Sequence, residues 1–211
     1  MNYRTKTLGH ATLLLFENGK PLIATDPWLI GSAYWRSWWL EKYPTVALRC
    51  FNVYGTRQAL SNPYTGVCAI FSSRLMNDER PVIFEDGGQT RDFVHVSDIV
   101  QANLLALETD KADYQAINIG TGRPISVGDI AALLAKGLGK DIAPEFVGKY
   151  REGDIRHCVA DITKAENLLN YAPKVNLEKG LMALLDWVKG ETPDDRVNAA
   201  TAELEARSLV R

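Results

Sequence analysis

Eight arginines stand between residues 45 and 156, namely Arg49, Arg57, Arg74, Arg80, Arg91, Arg123, Arg151 and Arg156, against four lysines. A guanidinium is planar and presents paired N–H donors, so this bias suits phosphate recognition better than the point charge of lysine would. Solvated surface arginines are common, so the neighbours of each must decide. Arg91 lies in Gly88-Gln89-Thr90-Arg91-Asp92-Phe93, where an ion pair with Asp92 is the structural alternative. Arg151 opens Arg151-Glu152-Gly153-Asp154, in which an Asp beside Gly can also be a turn former. Asn52 either caps a strand or offers its amide to a ligand. Val82 and Phe84 are either core or a flat apolar wall. His95, behind Phe93 and Val94, reads as a core or capping residue, and His157 has no assigned role.

The elements that must position these groups follow from periodicity. Val46 to Val53 reads as a buried strand ending at Tyr54-Gly55, with further strands over Pro81 to Phe84 and Ala116 to Ile119. Val67, Ile70, Phe71 and Leu75 have helical spacing within Thr65 to Met76. Asp98 is expected to cap a helix whose inner face is Val100, Leu104 and Leu107. Ser126 with Asp129, and Thr163 with Glu166, resemble capping boxes. Leu181, Leu184, Leu185 and Val188 mark a last helix, and Pro193 opens a polar tail with little apolar face. Gly120-Thr121-Gly122 is followed by Ser126 rather than by a third glycine at the motif spacing, and reads as a strand-to-helix loop rather than a dinucleotide turn.

Composition bounds the function. The chain has 211 residues, 46% hydrophobic and 24% charged, and a net charge of -2, which argues against a polyanion-binding surface but permits a local cationic pocket. No apolar run approaches the roughly 20 residues of a membrane span, and no basic-then-apolar leader is expected. Cys50, Cys68 and Cys158 are few and odd in number, which favours free buried thiols in a reducing cytosol.

The first 44 residues read differently. Ala11 to Glu17 and Pro21 to Thr25 are strand candidates on either side of Asn18-Gly19, a pair that suits a tight hairpin turn. Trp28, Trp35, Trp38 and Trp39 follow within twelve residues, an aromatic cluster of the kind that fills a core or covers an interface. Leu8-Gly9-His10-Ala11-Thr12 and Thr25-Asp26-Pro27-Trp28 resemble the opening of a metallo-β-lactamase-fold hydrolase. That family's His-x-His-x-Asp-His cluster is not in the sequence, and His10 alone does not supply the three protein ligands of a catalytic zinc.

The stretch Glu85 to Val100 (EDGGQTRDFVHVSDIV) comes after Ala47 to Gly55 (ALRCFNVYG). Asn118-Ile119-Gly120-Thr121-Gly122 and Arg151-Glu152-Gly153-Asp154 trail it. In that order these pieces resemble the C-terminal half of an NAD-dependent nucleotide-sugar epimerase/dehydratase of the extended short-chain dehydrogenase/reductases, closest to UDP-glucose 4-epimerase-like and dTDP-rhamnose 4-epimerase-like members. The resemblance implies that Arg91 and Arg151 hold a substrate diphosphate, that Asp154 holds the ribose region and that Asn52 contacts the substrate. It places Val82 and Phe84 against the base, and Phe51 beside the nicotinamide end of the cofactor. The family's chemistry uses a Tyr-x-x-x-Lys pair with NAD, and no tyrosine of this sequence has a lysine four residues on.

The expectation is therefore an α/β, truncated Rossmann-like fold comprising the substrate-binding part, with an added N-terminal β-hairpin that covers an exposed sheet edge or joins the sheet. The segments are 1–44, 45–190 and a polar helical tail, 191–211. A nucleotide-sugar is the expected partner, with no catalytic residues assigned and no metal. NAD is implied by the family and is not expected to bind this chain alone. A cytoplasmic protein with neither nucleic-acid nor membrane partners is expected, with self-association or complementation through the sheet edge. The alternatives are a fused or truncated chain without native activity and, more weakly, a metal-dependent hydrolase remnant.

Overall fold

The computed structural model describes residues 3–8, 12–17, 20–25, 46–60, 66–150 and 154–192, with single positions at 195, 197, 202, 203 and 206. The chain divides into two units.

The first unit comprises Met1–Phe51, Ser97–Gly122 and Ala160–Lys174. Its sheet has the order β1-β2-β3-β4-β8, where β1 is Tyr3–Leu8, β2 Thr12–Glu17, β3 Lys20–Thr25, β4 Val46–Cys50 and β8 Ala116–Ile119. The expected hairpin is present as β2 and β3, and β1 adds a third antiparallel strand. β3 pairs in parallel with β4, from Ile23↔Val46 to Thr25↔Leu48, so the hairpin joins the sheet along the edge of β4. β4 in turn pairs in parallel with β8, with Leu48 opposite Ile117.

Alternation puts Val46, Leu48, Ile117 and Ile119 on one face, all buried. Two helices cover them, α2 (Val96–Leu107) and α4 (Thr163–Leu169). The face that α2 buries is not the expected one. Asp98, Ala102 and Ala106 are buried, whereas Val100 and Leu104 are 54% and 55% exposed and Leu107 is 39% exposed. α2 carries apolar residues on two sides, and the alanine side allows the closer approach to the sheet. Nor does Asp98 cap its own helix. It lies in the first turn, and its carboxylate accepts the backbone N–H of Lys174 at 3.0 Å. In α4 Thr163 is the first helical residue rather than the cap. Asp161 Oδ1 accepts the Thr163 N–H at 3.0 Å, and hydrogen bonding to Thr163 holds the Asp161 carboxyl below its usual range. Buried Tyr171 closes the unit by donating its hydroxyl to Gly120 O at 2.9 Å.

The second unit comprises Asn52–Val96, Arg123–Val159 and Val175–Arg211. The long strand expected from Val46 to Val53 is broken at Phe51, and its second part, β5 (Asn52–Tyr54), pairs in parallel with β7 (Thr90–His95). β7 organises this unit. Its first half lies between β11 (His157–Cys158, parallel) and β9 (Pro124–Ser126, antiparallel), and its second half meets β5. β6 (Val82–Ile83) pairs in parallel with β10 (Glu145–Phe146).

Three helices, α1 (Val67–Met76), α3 (Val127–Gly137) and α5 (Leu177–Val188), share a core with Tyr54, Ile83 and Phe93. Ser126 caps α3 as expected, accepting the Asp129 N–H at 2.9 Å while its hydroxyl donates to the Asp129 carboxylate at 2.6 Å. Gly180 lets α5 approach the Tyr54 ring: a Cβ there would stand 2.2 Å from Tyr54 Oη. Half-buried His95 packs edge-on against that ring, with centroids 5.4 Å apart. Cys68 on α1 is fully buried, and burial pushes its thiol pKa up to about 12, far from a reactive thiolate. No helix among the described residues is long and apolar enough to cross a membrane.

Candidate functional site

The candidate site is built around the first two residues of β7. Thr90 donates its N–H to Arg156 O at 3.0 Å, which locks the start of β7 to the segment leading into β11. Arg91, its side chain only 14% exposed, donates from Nη1 to both Thr90 O and Arg156 O at 2.9 Å, and from Nη2 to Asp154 Oδ1 at 3.0 Å. Two residues singled out from different parts of the sequence, Arg91 and Asp154, are thus in direct contact. The alternative partner, Asp92, is fully buried and alternates to the other face of the strand. Of the five N–H donors of a guanidinium, three of those on Arg91 are committed among the described residues.

Asn52 stands opposite Phe93 on the neighbouring strand. Phe93 follows Arg91 by two residues, so Asn52 and Arg91 belong to the same face, offset by about 7 Å along the strands. Val82 is half-buried on β6 opposite Glu145, and half-buried Phe84 follows that strand. Phe51 is half-buried in the first unit, where its N–H donates to Ile119 O at 3.0 Å. Arg151 and His10 lie outside the described residues. Among the described residues no three His, Cys, Asp or Glu side chains are grouped as metal ligands would be.

The loop from Phe84 to Gln89 is held by a clamp that sequence reasoning did not find. Arg156 Nη1 donates to Glu85 Oε2 at 2.6 Å, and its Nη2 donates to both carboxylate oxygens of Asp86 at 3.0 and 2.8 Å. Asp86 Oδ1 also accepts the Gly88 N–H at 2.9 Å, and Gln89 Nε2 donates to Phe84 O at 2.9 Å. Thr90 Oγ1 and His157 Nδ1 are hydrogen-bonded at 2.8 Å, which gives His157 a structural place. Arg156 therefore acts twice, through its carbonyl on Thr90 and Arg91 and through its guanidinium on the loop before them. The acidic pair Glu85-Asp86 was visible in the sequence, but nothing local linked it to an arginine seventy residues on.

Hydrogen bonding from Arg156 holds the Asp86 carboxyl below the usual range, and Asp86 in turn raises the Arg156 guanidinium. A depressed carboxylate pKa stabilises the folded state above the ordinary Asp range, and that contribution is lost as pH falls below that range and through the lowered folded-state value. The clamp is therefore expected to stay closed where a free Asp titrates and to open only at still lower pH. The Gly88 amide resonance, followed by NMR from neutral to acid pH, should move with the Asp86 titration. A Gly88 resonance that stays fixed while Asp86 titrates would contradict the clamp.

Of the remaining arginines, Arg74 is removed from any phosphate role by burial. It donates from Nε to Arg80 O at 2.6 Å and from Nη1 to Asp195 Oδ2 at 3.0 Å. Gly120-Thr121-Gly122 leads from β8 into the short strand β9, not directly into a helix as expected. A Cβ at Gly122 would lie 3.7 Å from Ala160 O and Ile162, so the chain itself occupies that side of the turn.

The sequence profile of the NAD dependent epimerase/dehydratase family matches residues 29–120. The dTDP-L-rhamnose 4-epimerase of Burkholderia thailandensis is 36% identical over 165 residues, which cover 77% of this chain and 44% of that protein. The crystal structure of UDP-glucose 4-epimerase with UDP-glucose from Thermotoga maritima matches with a TM-score of 0.64 at 40% identity, over 71% of this chain and 47% of that one. The UDP-glucuronic acid 4-epimerase of Bacillus cereus, solved in complex with UDP-glucuronic acid and NAD, matches at 0.64 and 37% identity, over 71% and 46%. The chain thus spans under half the length of these relatives. Over the greater part of its own length it is similar to NAD-dependent nucleotide-sugar epimerases, and it has the Rossmann-like fold of the extended short-chain dehydrogenase/reductases.

Proposed function

We propose that residues 45–190 bind a nucleotide diphosphate sugar of the UDP- or dTDP-hexose type, and that these residues alone do not turn it over. The observation that carries this is the state of Arg91. Two backbone carbonyls fix its Nη1, so the guanidinium is held in place at little further entropic cost while other N–H donors remain for an anion. On this reading Arg91 and Arg151 take the diphosphate and Asp154 the ribose region. Asn52, on the face of Arg91, meets the sugar, and Val82 and Phe84 lie against the base.

The absence of turnover rests on what the residues lack. The relatives' chemistry is hydride transfer supplied by NAD, and Phe51 is the position beside its nicotinamide end. A dinucleotide pyrophosphate needs a glycine turn opening directly into a helix N-terminus. The turn at Gly120 opens into a strand instead, and the sequence has no Tyr-x-x-x-Lys pair. The residues present do not fit that cofactor. Titration calorimetry with UDP and with dTDP tests the binding claim. One saturable site for at least one of them is expected, and no heat from either at millimolar concentration would sink it.

A further inference from the structure

Resting on that diphosphate reading, we propose that Asp154 is an internal counter-ion that a ligand phosphate displaces from Arg91, so that the free chain holds its own phosphate site partly neutralised. The two sides of the Arg91 guanidinium are held differently. Nη1 donates to two main-chain carbonyls, which cannot leave without unpicking the start of β7. Nη2 donates to Asp154 Oδ1, a side chain 49% exposed whose other described contact is the N–H of the next residue, Ile155. One set of partners is fixed and the other can swing into solvent.

The charges nearby sharpen the point. Glu85 and Asp86 are engaged by Arg156, so Asp154 is the described carboxylate that neutralises Arg91. Carboxylate and phosphate oxygens satisfy a guanidinium edge with the same geometry. An incoming phosphate meets the Asp154 charge at Nη2 and gains that edge of Arg91 by displacing it.

Asp154→Asn tests this, because asparagine keeps an oxygen for the Ile155 N–H and removes the charge. Calorimetry with inorganic pyrophosphate, UDP and UMP at low ionic strength, on the full chain and on this variant, gives the readout, with thermal unfolding as the control for folding. The variant should bind pyrophosphate about fivefold more tightly, a gain typical of one partly exposed ion pair. UMP and UDP should change by a similar factor, because the same carboxylate is removed for both. Pyrophosphate binding unchanged or weakened in the variant overturns the counter-ion, even where UDP binds the unaltered chain and the diphosphate reading stands. If the unaltered chain binds none of the three, a variant that gains pyrophosphate still supports the counter-ion, and a variant that stays silent ends it.

Discussion

Replacing Asp195 by alanine is expected to destabilise the second unit by about 3 kcal/mol, the cost of removing the close, shielded partner of a buried charge. Arg74 lies in the middle of α1 with its side chain 5% exposed, and Asp195, itself 14% exposed, meets it at 3.0 Å. Among the described residues Glu79 is a second ion partner at 3.6 Å, with 58% of its side chain in water. Burial makes the arginine depend on a close, shielded carboxylate, and Glu79 is neither. Glu79→Ala should accordingly cost about 0.5 kcal/mol or less. Urea unfolding reads both, and Asp195→Ala should lower the midpoint with the slope unchanged. Equal, small effects from the two variants would show that Asp195 does not carry the pair.

Arg91→Ala is expected to weaken UDP binding about thirtyfold, which is roughly 2 kcal/mol, the range of a hydrogen-bonded charge pair. The variant also removes the Nη1 bonds to Thr90 O and Arg156 O, so a general loosening of the site must be told apart from loss of the phosphate contact. Two comparisons do so. Binding of uridine, which has no phosphate, should change little. Arg91→Lys, which keeps the charge without the planar fork, should lie between the two. Thr90 N still donates to Arg156 O in every variant, so the start of β7 has an independent tie. Equal losses for UDP and uridine would mean that Arg91 acts through structure alone.

How much of this was legible in the sequence depends on how local each signal is. The Ser126–Asp129 cap, the Ala116–Ile119 strand and the Leu181–Val188 stripe were read correctly because each is settled within a few residues. α2 was read on the wrong face, since apolar spacing alone cannot rank a Val-Leu-Leu stripe against an alanine stripe when the sheet beneath demands close approach. The run from Val46 to Val53 is uniformly strand-like, and its break at Phe51 follows from two different partner strands, β8 and β7.

At the site, Arg91 and Asp154 were each found by motif, but their contact spans 63 positions. The clamp from Arg156 to Glu85 and Asp86 spans 71 and 70, and the Arg74–Asp195 pair spans 121. Ion pairs over such separations leave no trace in local composition. That is why Arg74 and Arg156 stood undistinguished in one list of arginines suited to phosphate.

The central claim is that a nucleotide diphosphate is held by its phosphates at Arg91. Phosphorus NMR of UDP during titration with the chain addresses it most directly, because it observes the atoms that the guanidinium would touch. Both phosphorus resonances should shift or broaden with the unaltered chain and return to their free positions with Arg91→Ala. Phosphorus resonances that stay at their free positions while the uracil protons broaden would place the contact on the base and contradict the account.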